Sequence, residues 1–504
     1  MLFVLMVMWG GNVLAQDTKP NILFIMTDDH AAHALGAYGG RLAGLNPTPT
    51  LDQLAAEGMR FSNAFVSNSI CTPSRATLMT GQYSHTNGIR TLIGPLAPER
   101  QHLPRLIGEA GYHTAMIGKW HLTEEPAAYD EYSVLEVQGN YFNPTLRRSV
   151  RGDWPDNEQY FSGYDSKHSS DVVTDLSLEW LKRRDTSRPF FLMHHFKAPH
   201  DNFENAERYD WLYEDTDIPE PTTLWHQPDF GSAATHGRGS GTSVSKRNTR
   251  RNMGHHMFVD PSLDSTEYTR VTYQRYLKKY LRTVRGVDDN IKRLIDHLRE
   301  TGELDNTIVI YTSDQGMMLG EHDLIDKRWM YDESMRIPLI VRYPARFQPG
   351  TVSDAMVSNV DLAPTLLALA GAETPDFMQG RSLTPILNGA TPDDWREAVY
   401  YRYWMHLTHH DVPAHYGIRT KDYKLIFFYG LPLDAEGALE PATTPSWELY
   451  DLRTDPWESV NRYADPNYAE VAQQLKRDLL ALKARTGDTD DRYPALMQVR
   501  ADHW

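Results

Sequence analysis

Three continuous apolar runs stand out along the chain: 21–27 (Asn-Ile-Leu-Phe-Ile-Met-Thr), 188–196 and 307–312. None alternates with polar residues, which is the pattern of strands covered on both faces. A further strand candidate, Tyr112 to Gly118, lies between the first two runs and is the second of four in chain order. Helical spacing separates them. Pro49 to Gly58 reads as a helix stopped by glycine, and His102 to Ala110 sets Leu103, Leu106 and Ile107 on one face. Val172 to Leu181 is helical. Ser265 to Thr301 is the longest periodic stretch, with Tyr273, Tyr276, Leu277, Tyr280, Val284, Val287, Ile291, Leu294, Ile295 and Leu298 at spacings of three and four. A further helix is predicted through Leu362, Leu366, Leu367 and Leu369, with Asp361 placed as its expected cap.

Buried strands alternating with helices predict an α/β fold. Beyond Asn388 the pattern changes. Tyr400–Trp404, Tyr416–Arg419, Tyr423–Phe428 and Trp447–Tyr450 are short Tyr-rich strand candidates, followed by an amphipathic helix over Tyr468–Arg485. The expected division is a main domain over 20–390 and a smaller C-terminal subdomain over 391–504. Residues 123–170 show little periodicity and read as loops that shape a pocket.

A formal charge of −16 argues against nucleic-acid binding, so positive charge for an anionic substrate has to be concentrated at a site. The apolar N-terminus is too short to span a membrane. With Val13-Leu14-Ala15 before Gln16, residues 1–15 read as a secretory signal without a basic leader segment and without a stable membrane anchor. A single cysteine excludes disulfides within the chain, and export without them fits a bacterial periplasm or exterior.

Candidate chemistry gathers where the strand candidates end. Asp28-Asp29 follows the first, and Lys119 with His121 follows the second. Lys197 and His200 follow the third, and Asp314-Gln315 with Lys327 follow the fourth. Taken alone, Asp28 and Asp29 are as easily a helix cap and a turn residue. In open α/β sheets, however, ligands bind beyond the carboxyl ends of strands. Three carboxylates and an amide carbonyl are hard oxygen donors suited to Ca²⁺ or Mg²⁺. Cys71 precedes Pro73, which fits a first helical turn, and Gly81 stops that helix. A group at such a helix start meets unpaired N–H groups and the positive dipole end, and Arg75 adds a permanent charge.

Cys71, Pro73, Ser74, Arg75, Met79, Thr80 and Gly81 fill every fixed position of a pattern that resembles the signature of the formylglycine-dependent (type I, arylsulfatase-like) sulfatases. Gly111-Tyr112, Thr114, Gly118-Lys119 and His121 resemble the second signature of that family, and Ser313-Asp314-Gln315-Gly316 with Lys327 its metal segment and lysine. The resemblance implies an alkaline-phosphatase-like mixed sheet sandwiched by helices, with a small C-terminal antiparallel sheet. It implies that a separate formylglycine-generating enzyme oxidises Cys71 to 3-oxoalanine (Cα-formylglycine). One hydroxyl of the hydrated aldehyde then attacks sulfur and the other expels sulfate.

By the same resemblance, Ca²⁺, ahead of Mg²⁺, is held by Asp28, Asp29, Cys71, Asp314 and Gln315. Arg75, Lys119 and Lys327 neutralise the sulfuryl oxygens, His121 supports the formylglycine, and His200 is the acid for the leaving alcohol. Residues 401–406 and 415–419 resemble segments of bacterial carbohydrate sulfatases, including N-acetylglucosamine-6-sulfatase-like members. That makes His415 and Arg419 the expected contacts to a sulfated saccharide, with sulfated algal polysaccharide as the next choice. The competing readings are a phosphate or phosphonate monoester hydrolase of the same superfamily and a non-catalytic glycan-binding homologue. The Gly/Ser-rich basic segment 227–257 is either a solvated loop or a cationic lid.

Overall fold

The computed structural model describes residues 19–150, 159–225, 227–236, 243–247 and 252–504. The expected signal over 1–15 lies outside the described residues, as do Arg238, Arg250 and Arg251 of the basic segment. Arg247 of that segment is tied down, its guanidinium over the Tyr268 ring and bonded to the Pro261 carbonyl. Among the described residues no helix is long and apolar enough to cross a membrane.

Ten strands of the described residues form one mixed sheet. Their order is Thr351–Ser353, Met59–Phe61, Leu339–Arg342, Thr307–Ser313, Asn21–Asp28, Phe190–Pro199, His113–Lys119, Glu131–Leu135, Leu146–Val150 and Gln159–Phe161. The five strands from Thr307–Ser313 through Glu131–Leu135 are mutually parallel, so their carboxyl ends share one edge. All eight residues of Asn21–Asp28 are buried, as its unbroken apolar run predicts.

Alternation along these strands supplies two cores. Ile22, Phe24 and Met26 face one side with Met193 and Ile310, against Ala76, Leu78 and Met79 of helix Cys71–Thr80, Leu103 and Ile107 of helix His102–Glu109, and Leu362 and Leu366 of helix Leu362–Ala370. Leu23 and Ile25 face the other side with Leu192 and Val309. There they meet Val172 and Trp180 of helix Ser169–Arg183, Val287, Ile291 and Leu294 of helix Ser265–Glu300, and Leu51 and Leu54 of helix Pro49–Glu57. Each fully buried side chain of this size contributes roughly 1.5–3 kcal/mol.

Strands Ala398–Tyr403, His415–Thr420, Tyr423–Phe428 and Ser446–Asp451 form a second, antiparallel sheet. Helix Ala469–Thr486 covers one face through Leu475, Leu479 and Leu482. The other face, carrying Tyr401, Tyr403, Ile426 and Phe428, joins the core on the Cys71 side of the large sheet. Apolar packing therefore runs unbroken across position 390.

One stretch differs from its sequence reading. Within 123–170 lie three strands, Glu131–Leu135, Leu146–Val150 and Gln159–Phe161, which extend the sheet to its edge. Sequences such as Leu-Arg-Arg-Ser-Val are strands because neighbouring backbone offers them a ladder, and their own side chains carry little of the signal.

Candidate functional site

Four strand ends and one helix start converge at the carboxyl edge of the parallel strands. Asp28 closes the first strand, and Asp29 follows in the left-handed region at φ 68°. The Asp29 N–H donates to Asp314 Oδ1 (3.2 Å), and its carbonyl accepts from Tyr280 of the long helix (2.8 Å). Those bonds hold a conformation that costs a non-glycine residue about 1–3 kcal/mol. Gly118 precedes Lys119 at φ 108°, where a Cβ would lie 1.8 Å from the His195 carbonyl; no other residue fits there.

Helix Cys71–Thr80 begins at Cys71 itself, with Ile70 in extended conformation before it, and all ten of its residues are buried. The Cys71 sulfur lies 3.4 Å from Asp28 Oδ1 and 3.3 Å from Gln315 Nε2. Arg75 forms a salt bridge to Asp314 Oδ2 at 2.9 Å and donates to the Lys119 carbonyl at 2.6 Å. Lys119 pairs with Asp28, and Lys327 with Asp29 at 2.6 Å. His200 Nε2 is 3.7 Å from Asp29 Oδ2, while its Nδ1 engages Asp201. Of the two adjacent histidines, His194 bonds Ser177 on the helix side. His195 lies 3.2 Å from the Lys119 carbonyl, beside Arg75.

The residues fit a cation. Oxygens of Asp28, Asp29 and Asp314 lie within 4.8 Å of one another, and so do ligand atoms of Asp28, Cys71 and His200. Gln315 is buried with Nε2 2.5 Å from Asp29 Oδ1, while its Oε1 has no partner among the described residues. An amide turned by half a revolution presents that orphaned oxygen to the same carboxylates. Three carboxylates and a carbonyl form a hard oxygen set matching Ca²⁺ or Mg²⁺.

Burial pushes the Cys71 thiol up to about 12, with the Lys327 and Arg75 charges only partly opposing it. At neutral pH an unmodified thiol is protonated here and is a poor nucleophile. Burial, followed by the charges of Lys119, Arg75, His200 and Lys327, holds His121 well below the usual histidine range, so its ring is neutral. Burial also lowers Lys119 well below the ordinary lysine value. For Lys327 the same desolvation is outweighed by the Asp29 and Asp326 carboxylates, and its pKa is raised.

A ring of hydrogen bonds sets the spacing between the Cys71 helix and the Lys327 loop. The Arg328 N–H donates to the Ser69 carbonyl (3.1 Å). Ser69 N–H donates to the Tyr401 hydroxyl (3.2 Å), which in turn donates to the Arg328 carbonyl (2.5 Å). Tyr401 comes from the small sheet. Sequence reasoning missed this role because Tyr401 sits in a Tyr-rich strand where any ring reads as core. Gln138, whose Oε1 accepts from Lys119 at 2.5 Å, lay in a stretch without pattern.

Residues 20–372 match the family model described as sulfatase, and 320–485 match that of the N-sulphoglucosamine sulphohydrolase C-terminal region. The chain belongs to the sulfatase family. Within that family, this sulfatase is 38% identical to an N-acetylglucosamine-6-O-sulfatase of Bacteroides thetaiotaomicron, over 95% of this chain and 89% of the relative. It resembles, at TM-score 0.82 and 36% identity, a solved structure described as a complex with its substrate D-glucosamine-2-N,6-O-disulfate, covering 95% of this chain and all of that one. A phosphonate monoester hydrolase from Silicibacter pomeroyi shares the fold at TM-score 0.72, 24% identity and coverage of 94% and 97%. Membership makes the protein a sulfuric ester hydrolase with the alkaline-phosphatase-like fold.

The structure corrects two expected sugar contacts of the sulfatase. His415 is fully buried, tucked between Tyr401, Tyr403, Trp329 and Phe428, with Nδ1 bonded to the Pro413 carbonyl. Burial lowers its pKa to about 4. Arg419 makes a two-pronged salt bridge to Asp332 at 3.1 and 2.9 Å, and Lys424 shares that carboxylate. Both residues hold the small sheet against the body. Removing one member of a buried pair costs about 3–5 kcal/mol. Arg419→Ala is therefore expected to lower the thermal midpoint sharply, while the enzyme that remains folded treats sugar and aryl sulfates in wild-type proportion. A selective loss of saccharide turnover at unchanged stability would restore the binding role.

Proposed function

We propose that this sulfatase removes sulfate from a carbohydrate outside the cytoplasm, acting at chain ends on the 6-sulfate of an N-acetylglucosamine-like residue. The observation carrying this reading is the 38% identity to an N-acetylglucosamine-6-O-sulfatase over 95% of the chain. The domain division at 390 and the export signal are parts of the same proposal.

Asp28, Asp29, Asp314 and Gln315, with residue 71, would hold Ca²⁺, which when bound supplies positive charge to the sulfate oxygens. Oxidised to formylglycine by its maturation enzyme, residue 71 offers a hydrated aldehyde, with one hydroxyl to attack sulfur and a second to release sulfate. Arg75, Lys119 and Lys327 line the place where sulfuryl charge has to be met; fixed in advance, they cost no reorganisation during reaction. His121 is neutral and its buried Nδ1 has no partner among the described residues, leaving an acceptor for a proton from residue 71. Asp201 occupies His200 Nδ1, which leaves Nε2 to protonate the departing alcohol oxygen.

Asp326 and Arg328 flank Lys327, both in left-handed backbone conformation, at φ 73° and 85°. They pair with each other, and His410 Nε2 lies 3.8 Å from Asp326. Asp326 and Arg328 are both buried, and Asp326 also lies 3.5 Å from the Lys327 ammonium, so the pair fixes the loop that presents Lys327. Asp326→Ala removes one member of that buried pair and is expected to lower the thermal midpoint. It should lower kcat/KM on N-acetylglucosamine-6-sulfate and on 4-nitrophenyl sulfate together, and a loss confined to the saccharide would contradict this. A panel of defined sulfated saccharides, with matched phosphate and phosphonate esters, tests the reading as a whole. Preference for the phosphorus esters, or aryl sulfates turned over efficiently beside inert saccharides, would overturn it.

A further inference from the structure

Four basic side chains reach the candidate site from separate elements, and three of them have a carboxylate. Arg75 holds Asp314, Lys119 holds Asp28 and Lys327 holds Asp29. The fourth is Lys197, near the end of strand Phe190–Pro199, and it has an exposure of 6%. Among the described residues no carboxylate lies within salt-bridge distance of its ammonium. The contact it does make is with the face of Tyr141, 4.9 Å from the ring centroid, and the Tyr141 hydroxyl bonds the His200 carbonyl.

A desolvated ammonium without a counter-charge is costly, and folding ordinarily pairs it or keeps it in water. Lys197 is neither paired nor solvated. Its neighbours locate it. Phe196 and Ala198 pack into the core on the Trp180 side, which leaves Lys197 on the opposite side with His195, whose ring touches Arg75 and the Lys119 carbonyl. Burial lowers its pKa, opposed by Asp201, Asp29 and Cys71, while its own charge depresses that of Lys119. Lys197 thus sits on the site's side of its strand, against the Tyr141 ring that bonds the His200 carbonyl, with positive charge that no carboxylate among the described residues answers within salt-bridge distance.

We propose that Lys197 is a substrate-binding residue whose ammonium takes a sulfuryl oxygen of the ester, completing the cationic lining begun by Arg75, Lys119 and Lys327. The inference rests on the sulfatase reading of this site. It favours the sulfuryl group over a second acidic substituent of the sugar because Lys197 adjoins the groups around residue 71, which every substrate must reach.

The test uses the full chain with Lys197→Met and Lys197→Arg, and inorganic sulfate as the probe. Calorimetry on protein also carrying Cys71→Ala reads binding without turnover. Lys197→Met is expected to weaken sulfate binding about 10–100-fold. It should lower kcat/KM by a similar factor on 4-nitrophenyl sulfate and on N-acetylglucosamine-6-sulfate, while Lys197→Arg recovers most of both. The thermal midpoint should hold or rise, because an unpaired buried charge has been removed. Unchanged sulfate binding overturns the proposal. So does a loss confined to substrates with a second anionic group, such as D-glucosamine-2-N,6-O-disulfate, with 4-nitrophenyl sulfate unaffected. If the wild type turns over no sulfate ester, the functional reading fails, and the calorimetric comparison still decides Lys197.

Discussion

Cys71→Ala is expected to abolish turnover of every sulfate ester while leaving the thermal midpoint close to wild type. Residue 71 lies at the start of a wholly buried helix, within 3.4 Å of Asp28 and Gln315. The loss should be at least on the order of 10³-fold, because in the proposed mechanism residue 71 forms the covalent bond and the groups around it act through that bond. Alanine keeps the backbone and leaves a small void, so folding is not at risk. The unmodified thiol, pushed up to about 12, already makes plain cysteine an unsuitable nucleophile. Preparations should therefore vary in activity with the fraction of residue 71 that a peptide mass spectrum finds as the aldehyde. Near-full activity in folded Cys71→Ala, or in wild type with only thiol at position 71, would sink the mechanism.

Asp314→Asn carries the second large effect. Asp314 is shared: one oxygen takes the Arg75 guanidinium, and the other accepts the Asp29 N–H. Neutralising it weakens the oxygen set for a divalent cation and releases Arg75 from its orientation. Activity should fall on the order of 10²-fold or more, beyond the 10–100-fold typical of losing a group that merely orients a metal ligand. Metal analysis should find about one Ca²⁺ per wild-type chain and much less in the variant, with partial recovery at high calcium. Stoichiometric zinc in active wild type would contradict the donor set. Full activity after exhaustive chelation would contradict a metal altogether.

Much of this site was legible in the sequence because its residues sit where buried strands end. Continuous apolar runs are the clearest signal a sheet interior can leave; Asp28 follows its run directly, Asp314 and His200 come shortly after theirs, and Lys119 follows a strand candidate directly. What was not legible depends on partners that no local pattern encodes. The strands over 131–161 carry polar residues because they lie at a sheet edge, where backbone pairing does the ordering. His415 belongs to an aromatic, His- and Arg-bearing strand that reads the same whether it faces a sugar or a core. Only the ring of Trp329, Tyr401, Tyr403 and Phe428 around it decides. Lys197 follows its apolar run like the other candidate groups, and that it lacks a carboxylate partner is a fact of three dimensions. Asp326 and Arg328 adopt left-handed backbone without the glycine that usually announces it.

The Tyr401 hydroxyl joins the loop before residue 71 to the loop that carries Lys327, so the distance between residue 71 and Lys327 is measured from a different sheet. A fragment ending at 390 would retain every proposed metal ligand and every proposed sulfate contact, yet lose the gauge that spaces two of them. The small sheet therefore offers a route for tuning catalysis from outside the pocket. Exchanging it between relatives would transmit sub-ångström changes to the reacting groups while leaving all of them chemically the same.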